Sequence, residues 1–452
     1  MKTLNRRDFL KTSGAAAAFA ATPGLAYSQV VGGAGPFDDY RALVCVFMFG
    51  GNDSYNMLVP NTAAEYQAYA ASRQNLAIAQ NDLLPIMQAS QPTEDFGLHP
   101  SMGGIKGLFD AGDAAFVTNV GPLVEPTTKD AYFNGSVILP PQLFSHNNQQ
   151  EQWTTLAGNV PTKTGWAGRM ADLIRTGVTE QQMATNASLF GANLLQSADE
   201  TVAYVMGPGG PIQFEGFSTD PESILFEQRE AFRRIVNAEY GSVYERGFAE
   251  VQRRAINAAD VVTAAIDSAP PINAAFPQSQ LGVQLETVAR LIAVRDRLQM
   301  KRQIFFVATG GFDTHDNQLD DQPGLLGGIS DAIAAFHAAT VDLGVENNVT
   351  TFTQSDFART LTSNGDGTDH AWGGNQLVVG GAVNGRELYG NYPLLAIDGP
   401  EDVSGGRMIP STSADQYAAT LAKWFGIRDV DLDVVAPNLM NFADRDLGFM
   451  IA

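Results

Sequence analysis

The chain has 452 residues, with 49 acidic and 28 basic side chains, five His, one Cys and a formal charge of −21. That balance argues against a nucleic-acid binder, whose affinity comes from a basic surface, and a single Cys cannot make an internal disulfide. At 44% hydrophobic residues the composition is that of a globular chain, not a disordered one.

The N-terminus runs Asn5-Arg6-Arg7-Asp8-Phe9-Leu10-Lys11, then a weakly apolar Gly/Ala stretch, then Ala26-Tyr27-Ser28 with small residues at the positions a signal peptidase needs. Paired Arg before such a stretch is the twin-arginine export pattern. Residues 1–28 are expected to be a signal peptide and 29–452 one mature domain, periplasmic or exported by that pathway. Removing the signal takes away four bases and one acid, so the mature charge is about −24. The apolar stretch is too short to remain a membrane span, which needs about 20 apolar residues. No later segment is expected to cross a membrane. Cys45 falls in an apolar run and is expected to be a buried small hydrophobe.

Short Val/Phe/Ile-rich runs predict buried strands at Ala42–Phe49, Ala115–Val120, Ile304–Thr309, Val349–Thr353 and Gln376–Val379. Apolar residues three and four apart predict helices at Ser101–Ala111, Leu325–Leu343 and Ser413–Phe425. Their alternation implies a layered α/β fold. Pro221–Ala269 is expected to be a helical insertion, ended by Pro270-Pro271, and a further helix is expected from about Leu281 to Met300.

In such folds ligands bind beyond the carboxyl ends of the strands. Asp53 follows the first strand, Asp313 and His315 follow Ile304–Thr309, and Asp356 follows Val349–Thr353. Asp369-His370 lies in a later loop. Carboxylates and imidazoles gathered at strand ends suit a divalent metal such as Zn, Mn, Fe or Mg, although each Asp taken alone is also a common turn or capping residue. His337 is expected to lie in a helix as a packed or half-exposed residue, and His99 to orient a helix start. Ser145 precedes a predicted helix; it is either an N-cap or a nucleophile at a helix N-terminus, with His146 beside it. Ser54 is the competing serine. Arg359 is either an oxyanion contact or one half of a salt bridge. No Gly-x-Gly-x-x-Gly follows the first strand, and there is no Cys cluster or haem motif, which argues against an oxidoreductase.

These residues carry a resemblance. The ordered set Gly50-Gly51-Asn52-Asp53-Ser54-Tyr55-Asn56, Leu98-His99-Pro100, Ser145-His146, Gly165-Trp166-Ala167-Gly168-Arg169, Gly311-Phe312-Asp313-Thr314-His315, Ser355-Asp356-Phe357-Ala358-Arg359-Thr360 and Asp369-His370-Ala371-Trp372-Gly373 resembles the bacterial family called domain of unknown function 1501. That family resembles, distantly, the alkaline phosphatase and sulfatase superfamily. The resemblance implies a three-layer α/β/α sandwich with a mostly parallel central sheet. It implies metal ligands at Asp53, Asp313, His315, Asp356 and His370, and a nucleophile at Ser145. Phe357 stands where the superfamily often has His and cannot ligate a metal, so the resemblance implies a second metal subsite that is weak, different or absent here.

The expected function is an exported metal-dependent hydrolase of phosphate or sulfate esters. Its cofactor would be Zn, Mn, Mg or Ca, with Ser145, His146 and Arg359 at the reacting group. The alternative is a non-catalytic envelope protein that uses the same scaffold to bind or assemble with another exported protein.

Overall fold

The computed structural model describes residues 36–451 apart from 94, 212–217 and 219. The signal segment and its cleavage site lie outside the described residues.

The fold is built on a mixed sheet. Its strands are β1 (Arg41–Met48), β2 (Ala114–Gly121), β3 (Asn186–Ser188), β4 (Tyr204–Val205), β5 (Arg302–Thr309), β6 (Val349–Ser355), β7 (Gly374–Val379), β8 (Leu388–Tyr389) and β9 (Thr412–Ser413). Their order is β8-β2-β7-β6-β1-β5-β3-β4, with β9 also paired to β2. Most pairs are parallel, as the alternating pattern predicts. The exception is β7, which runs antiparallel to both β2 and β6. A run of six apolar and amide residues cannot reveal strand direction, because parallel and antiparallel strands buried on both faces look alike. A small antiparallel sheet, Leu58–Pro60, Leu84–Ile86 and Phe96–Leu98, lies apart from the main one.

The period of two in β1 creates the layers. Val44, Val46 and Met48 enter one core, with Ile105 and Phe109 of helix α1 (Gly103–Ala111). Leu285 and Leu291 of α6 (Gln280–Ala293) and Ile333 and Phe336 of α7 (Gln318–Asp342) complete that side. Leu43, Cys45 and Phe47 enter the opposite core. There they meet Trp153 of α2 (His146–Thr155), Trp166 and Met170 of α3 (Trp166–Ile174) and Tyr417 and Leu421 of α8 (Ala414–Phe425). Each fully buried Val, Leu or Phe contributes roughly 1.5–3 kcal/mol, so one strand anchors two helical layers. The result is an α/β/α sandwich.

The stretch from Pro221 to Ala269 forms two helices, α4 (Ile224–Val236) and α5 (Val243–Ile266). The continuous pattern is interrupted between them by Asn237 and Gly241, both poor helix formers. Arg229 and Arg233 of α4 pair with Asp260 of α5. Among the described residues one helix, α7, is long and apolar enough to cross a membrane. Its Leu326, Ile329, Ile333 and Phe336 are buried in the core described above.

Candidate metal centre

The carboxyl ends of β1, β5 and β6 lie side by side, because β1 pairs with both neighbours in parallel. The loops after these strands therefore emerge together. Close approach of the loops depends on Gly50 and Gly51, whose φ values are +117° and +87°. A Cβ on Gly50 would lie 2.3 Å from the Asp313 backbone nitrogen, and one on Gly51 would lie 2.3 Å from the Phe357 ring. Only glycine tolerates both the conformation and the space.

Four side chains meet above this floor. One ligand atom each from His146, Asp313 and His370 all lie within 4.8 Å of one another. His146 Nε2 is 3.4 Å from Asp313 Oδ2, and His370 Nε2 is 3.3 Å from Asp313 Oδ1. His315 Nε2 is 3.0 Å from Asp313 Oδ1 and 2.9 Å from His370 Nε2.

The tautomers follow from the partners. His370 Nδ1 lies 2.8 Å from the Phe144 carbonyl oxygen, which can only accept, so Nδ1 carries the proton. His146 Nδ1 lies 2.6 Å from Asp356 Oδ2. That oxygen also accepts from Gln150 Nε2 at 2.9 Å and from the Gly50 backbone N–H at 3.2 Å, as an ionised carboxylate does. Both rings thus turn Nε2 toward Asp313. Histidines that bind metals are held in the same way, by a hydrogen bond from the other ring nitrogen. His315 Nδ1 faces Asp369 Oδ1 at 3.3 Å.

Burial sets the charges. It pulls the His370 imidazole pKa down, against the hydrogen bond to Phe144, and His146 and Arg359 lower it further. The ring is therefore neutral near pH 7. Burial pushes the Asp313 carboxyl up, but the Arg359 hydrogen bond and charge, with His315 and His146, bring it below the ordinary carboxylate value. Burial raises the Asp356 carboxyl, opposed by Gln150, His146 and Gly50.

The remaining expected site residues stand around this group. Asp356 sits behind His146, with a fully buried side chain. Asp53 is buried on the floor, in an ion pair with Arg73 and a hydrogen bond from Gln318. Arg359 is also fully buried. It donates to Asp313 at 2.6 Å, to the Gly50 carbonyl oxygen at 3.2 Å, and to Thr368. Ser145 is the N-cap residue of α2 but makes no side-chain cap bond; its Oγ accepts from Asn148 Nδ2 at 3.0 Å. Ser54 is buried, and its Oγ accepts from the Asn375 backbone N–H. Phe357 packs on the His146 and His370 rings, with centroids 4.8 and 4.6 Å away.

Four contributors escaped the sequence analysis: Gln150, the Phe144 carbonyl, Arg73 and Gln318. Only Gln150 left a signal, four residues after His146 and so on the same helical face. Outside the site, His99 Nδ1 accepts from the Ser101 backbone N–H at 3.1 Å, just ahead of α1, and His337 of α7 is buried 3.3 Å from Asp113.

The model of a family described as "Protein of unknown function (DUF1501)" matches residues 40–436. A twin-arginine translocation signal matches residues 3–23, so the chain is exported by that pathway to the periplasm. No curated protein matches the sequence. Solved structures similar to this chain include Ps i-CgsB in complex with k-i-k-neocarrahexaose, at 9% identity over 90% of this chain and 77% of that one, TM-score 0.37. Another is the lipoteichoic acid synthase LtaP from Listeria monocytogenes, at 9% identity over 89% and 76%, TM-score 0.33. A third is BT1596, a 2-O GAG sulfatase, at 10% identity over 86% and 71%, TM-score 0.29.

Proposed function

This chain belongs to the DUF1501 family of proteins of unknown function, and from that premise we propose that it is an exported, metal-dependent hydrolase of phosphate or sulfate esters. The supporting observation is the convergence of His146, His370 and Asp313 within 4.8 Å, with both imidazoles turned to offer Nε2.

The donor set fits a divalent cation. His370 Nε2 is bare and stands 2.9 Å from His315 Nε2, a separation that needs a proton or a cation between the two nitrogens. Imidazoles with one carboxylate favour Zn²⁺ or Fe²⁺ over Mg²⁺ or Ca²⁺, which prefer oxygen, and Mn²⁺ falls between. His146, Asp313, His315 and His370 would hold the ion. When bound, it would supply a Lewis acid that polarises an ester oxygen.

The other residues have distinct tasks in this reading. Asp356 and Gln150 orient His146 through the shared carboxylate oxygen. Arg359 keeps Asp313 ionised and aimed. Ser145 is the proposed nucleophile, positioned by Asn148 one residue before His146. Asp53, neutralised by Arg73, belongs to the floor, so the proposal involves one metal ion.

The same ion pair favours a second reading. It removes one acid from metal chemistry, which suits a non-catalytic envelope protein that binds an exported partner.

The test is hydrolysis of aryl phosphate and aryl sulfate by the mature chain loaded with Zn²⁺ or Mn²⁺, with and without chelator. Metal-dependent turnover that disappears in Ser145→Ala, with metal content retained, is the expected result. A metal-loaded protein inactive on both ester classes would leave the binding role.

A further inference from the structure

Three arginines adjoin the candidate site, and two are already neutralised. Arg73 pairs with Asp53, and Arg359 pairs with Asp313. Arg407 differs, since none of the ion pairs among the described residues includes it.

Its guanidinium is nevertheless held in place. Nε donates to the His370 carbonyl oxygen at 3.0 Å, and Nη1 donates to the Ser404 carbonyl oxygen at 3.2 Å. The central carbon lies 5.2 Å from the centroid of the Phe144 ring, a cation–π contact. These anchors fix Arg407 against two residues of the site. His370 supplies a ring to the cluster, and Phe144 holds that ring through its carbonyl and directly precedes Ser145. The side chain is half-buried, and Nη2 has no partner among the described residues. One edge of the guanidinium fork is therefore free.

A free, pre-ordered guanidinium suits an oxyanion. Its planar fork matches the oxygens of phosphate, sulfate or carboxylate. Because backbone carbonyls and an aromatic face already restrain the side chain, little rotamer entropy remains to be lost on binding. The chain carries a formal charge of −21, so an anion gains little from the overall field and depends on local positive charge. Arg359 is less suited, because its charge is paired with Asp313 and each of its three nitrogens already donates, to Asp313, Gly50 or Thr368.

We propose that Arg407 is a specificity-determining residue that binds an oxyanion of the substrate beside the His146–Asp313–His370 cluster. The oxyanion is either the phosphate or sulfate being cleaved or a carboxylate elsewhere on the same molecule. The assignment rests on the ester-hydrolase reading for its substrate, but it predicts anion binding even without turnover.

The experiment measures binding of inorganic phosphate and of acetate to the metal-loaded mature chain by calorimetry, together with aryl phosphate hydrolysis. Arg407→Gln is expected to weaken phosphate binding roughly ten- to a hundredfold, as loss of a charged hydrogen bond does, with metal content and melting temperature unchanged. Arg407→Lys keeps the charge without the fork and should fall between; it is the variant to measure if Arg407→Gln does not fold. Loss confined to phosphate identifies the reacting group as the ligand, whereas parallel loss of acetate identifies a carboxylate. Unchanged affinity for both anions, or no anion binding by the wild type, overturns the proposal. Arg407-dependent phosphate binding without any ester hydrolysis would refute the hydrolase and leave this inference standing. Hydrolysis with Arg407-independent binding would do the reverse.

Discussion

His146 Nδ1 lies 2.6 Å from Asp356 Oδ2, and this contact turns the opposite ring nitrogen toward Asp313. The aspartate after β6 thus acts on the cluster through an imidazole carried by a helix from elsewhere in the chain. Asp356→Asn keeps the shape but removes the charge that fixes the tautomer. Metal affinity should fall about 10–100-fold, as it does when such supporting groups are removed. Metal titration of wild type and variant measures this, and equal affinities would show that His146 needs no such support.

The Asp53–Arg73 pair should matter for stability rather than for metal binding. Both side chains are buried, and Asp53→Asn would leave the Arg73 charge without its partner. Breaking a buried pair from one side costs about 3–5 kcal/mol. Denaturant titration should register a loss of that order, while metal content stays at the wild-type level. Loss of metal with full stability would instead make Asp53 a ligand.

His99 should weaken the fold in acid. Burial lowers its pKa to about 4, with nearby Asp53 opposing the shift, from an ordinary value of 6.5. Between these values the unfolded chain binds a proton that the folded chain does not. Stability therefore falls as the pH drops through that window, and the loss is complete below the folded value. His99→Gln cannot take up this proton, so it should lose less stability than wild type between pH 7 and pH 5. Parallel losses in denaturation series at the two pH values would rule this contribution out.

Gly50→Ala should disturb the cluster without touching any of its ligands. The added Cβ would meet the Asp313 backbone 2.3 Å away, at a φ of +117°. Strain at such a position costs about 1–3 kcal/mol, and relief by shifting Asp313 would lower metal affinity as well. Gly107→Ala in α1 meets nothing within 4 Å and should be neutral or stabilising by up to about 1 kcal/mol. Equal stability and metal affinity in the two variants would show that the Gly50 approach is not required.

Local pattern in the sequence determined the export signal, the buried strands, most of the helices and the acids that follow β1, β5 and β6. Each of these depends on neighbours within a few residues, where a period of two or 3.6 or a charge beside an apolar run leaves a direct trace. The family likewise follows from short motifs in a fixed order. The tertiary structure decided what the gathered acids face. Asp313 meets three imidazoles, Asp356 is placed behind one of them, and Asp53 is closed off by Arg73. It also decided the direction of β7, the pairing of Arg359 and the freedom of Arg407. These outcomes depend on contacts between residues tens to hundreds of positions apart. Which carboxylate receives a buried guanidinium, and which imidazole nitrogen is left bare, is set by packing and desolvation once the layers close, and local periodicity carries no record of either.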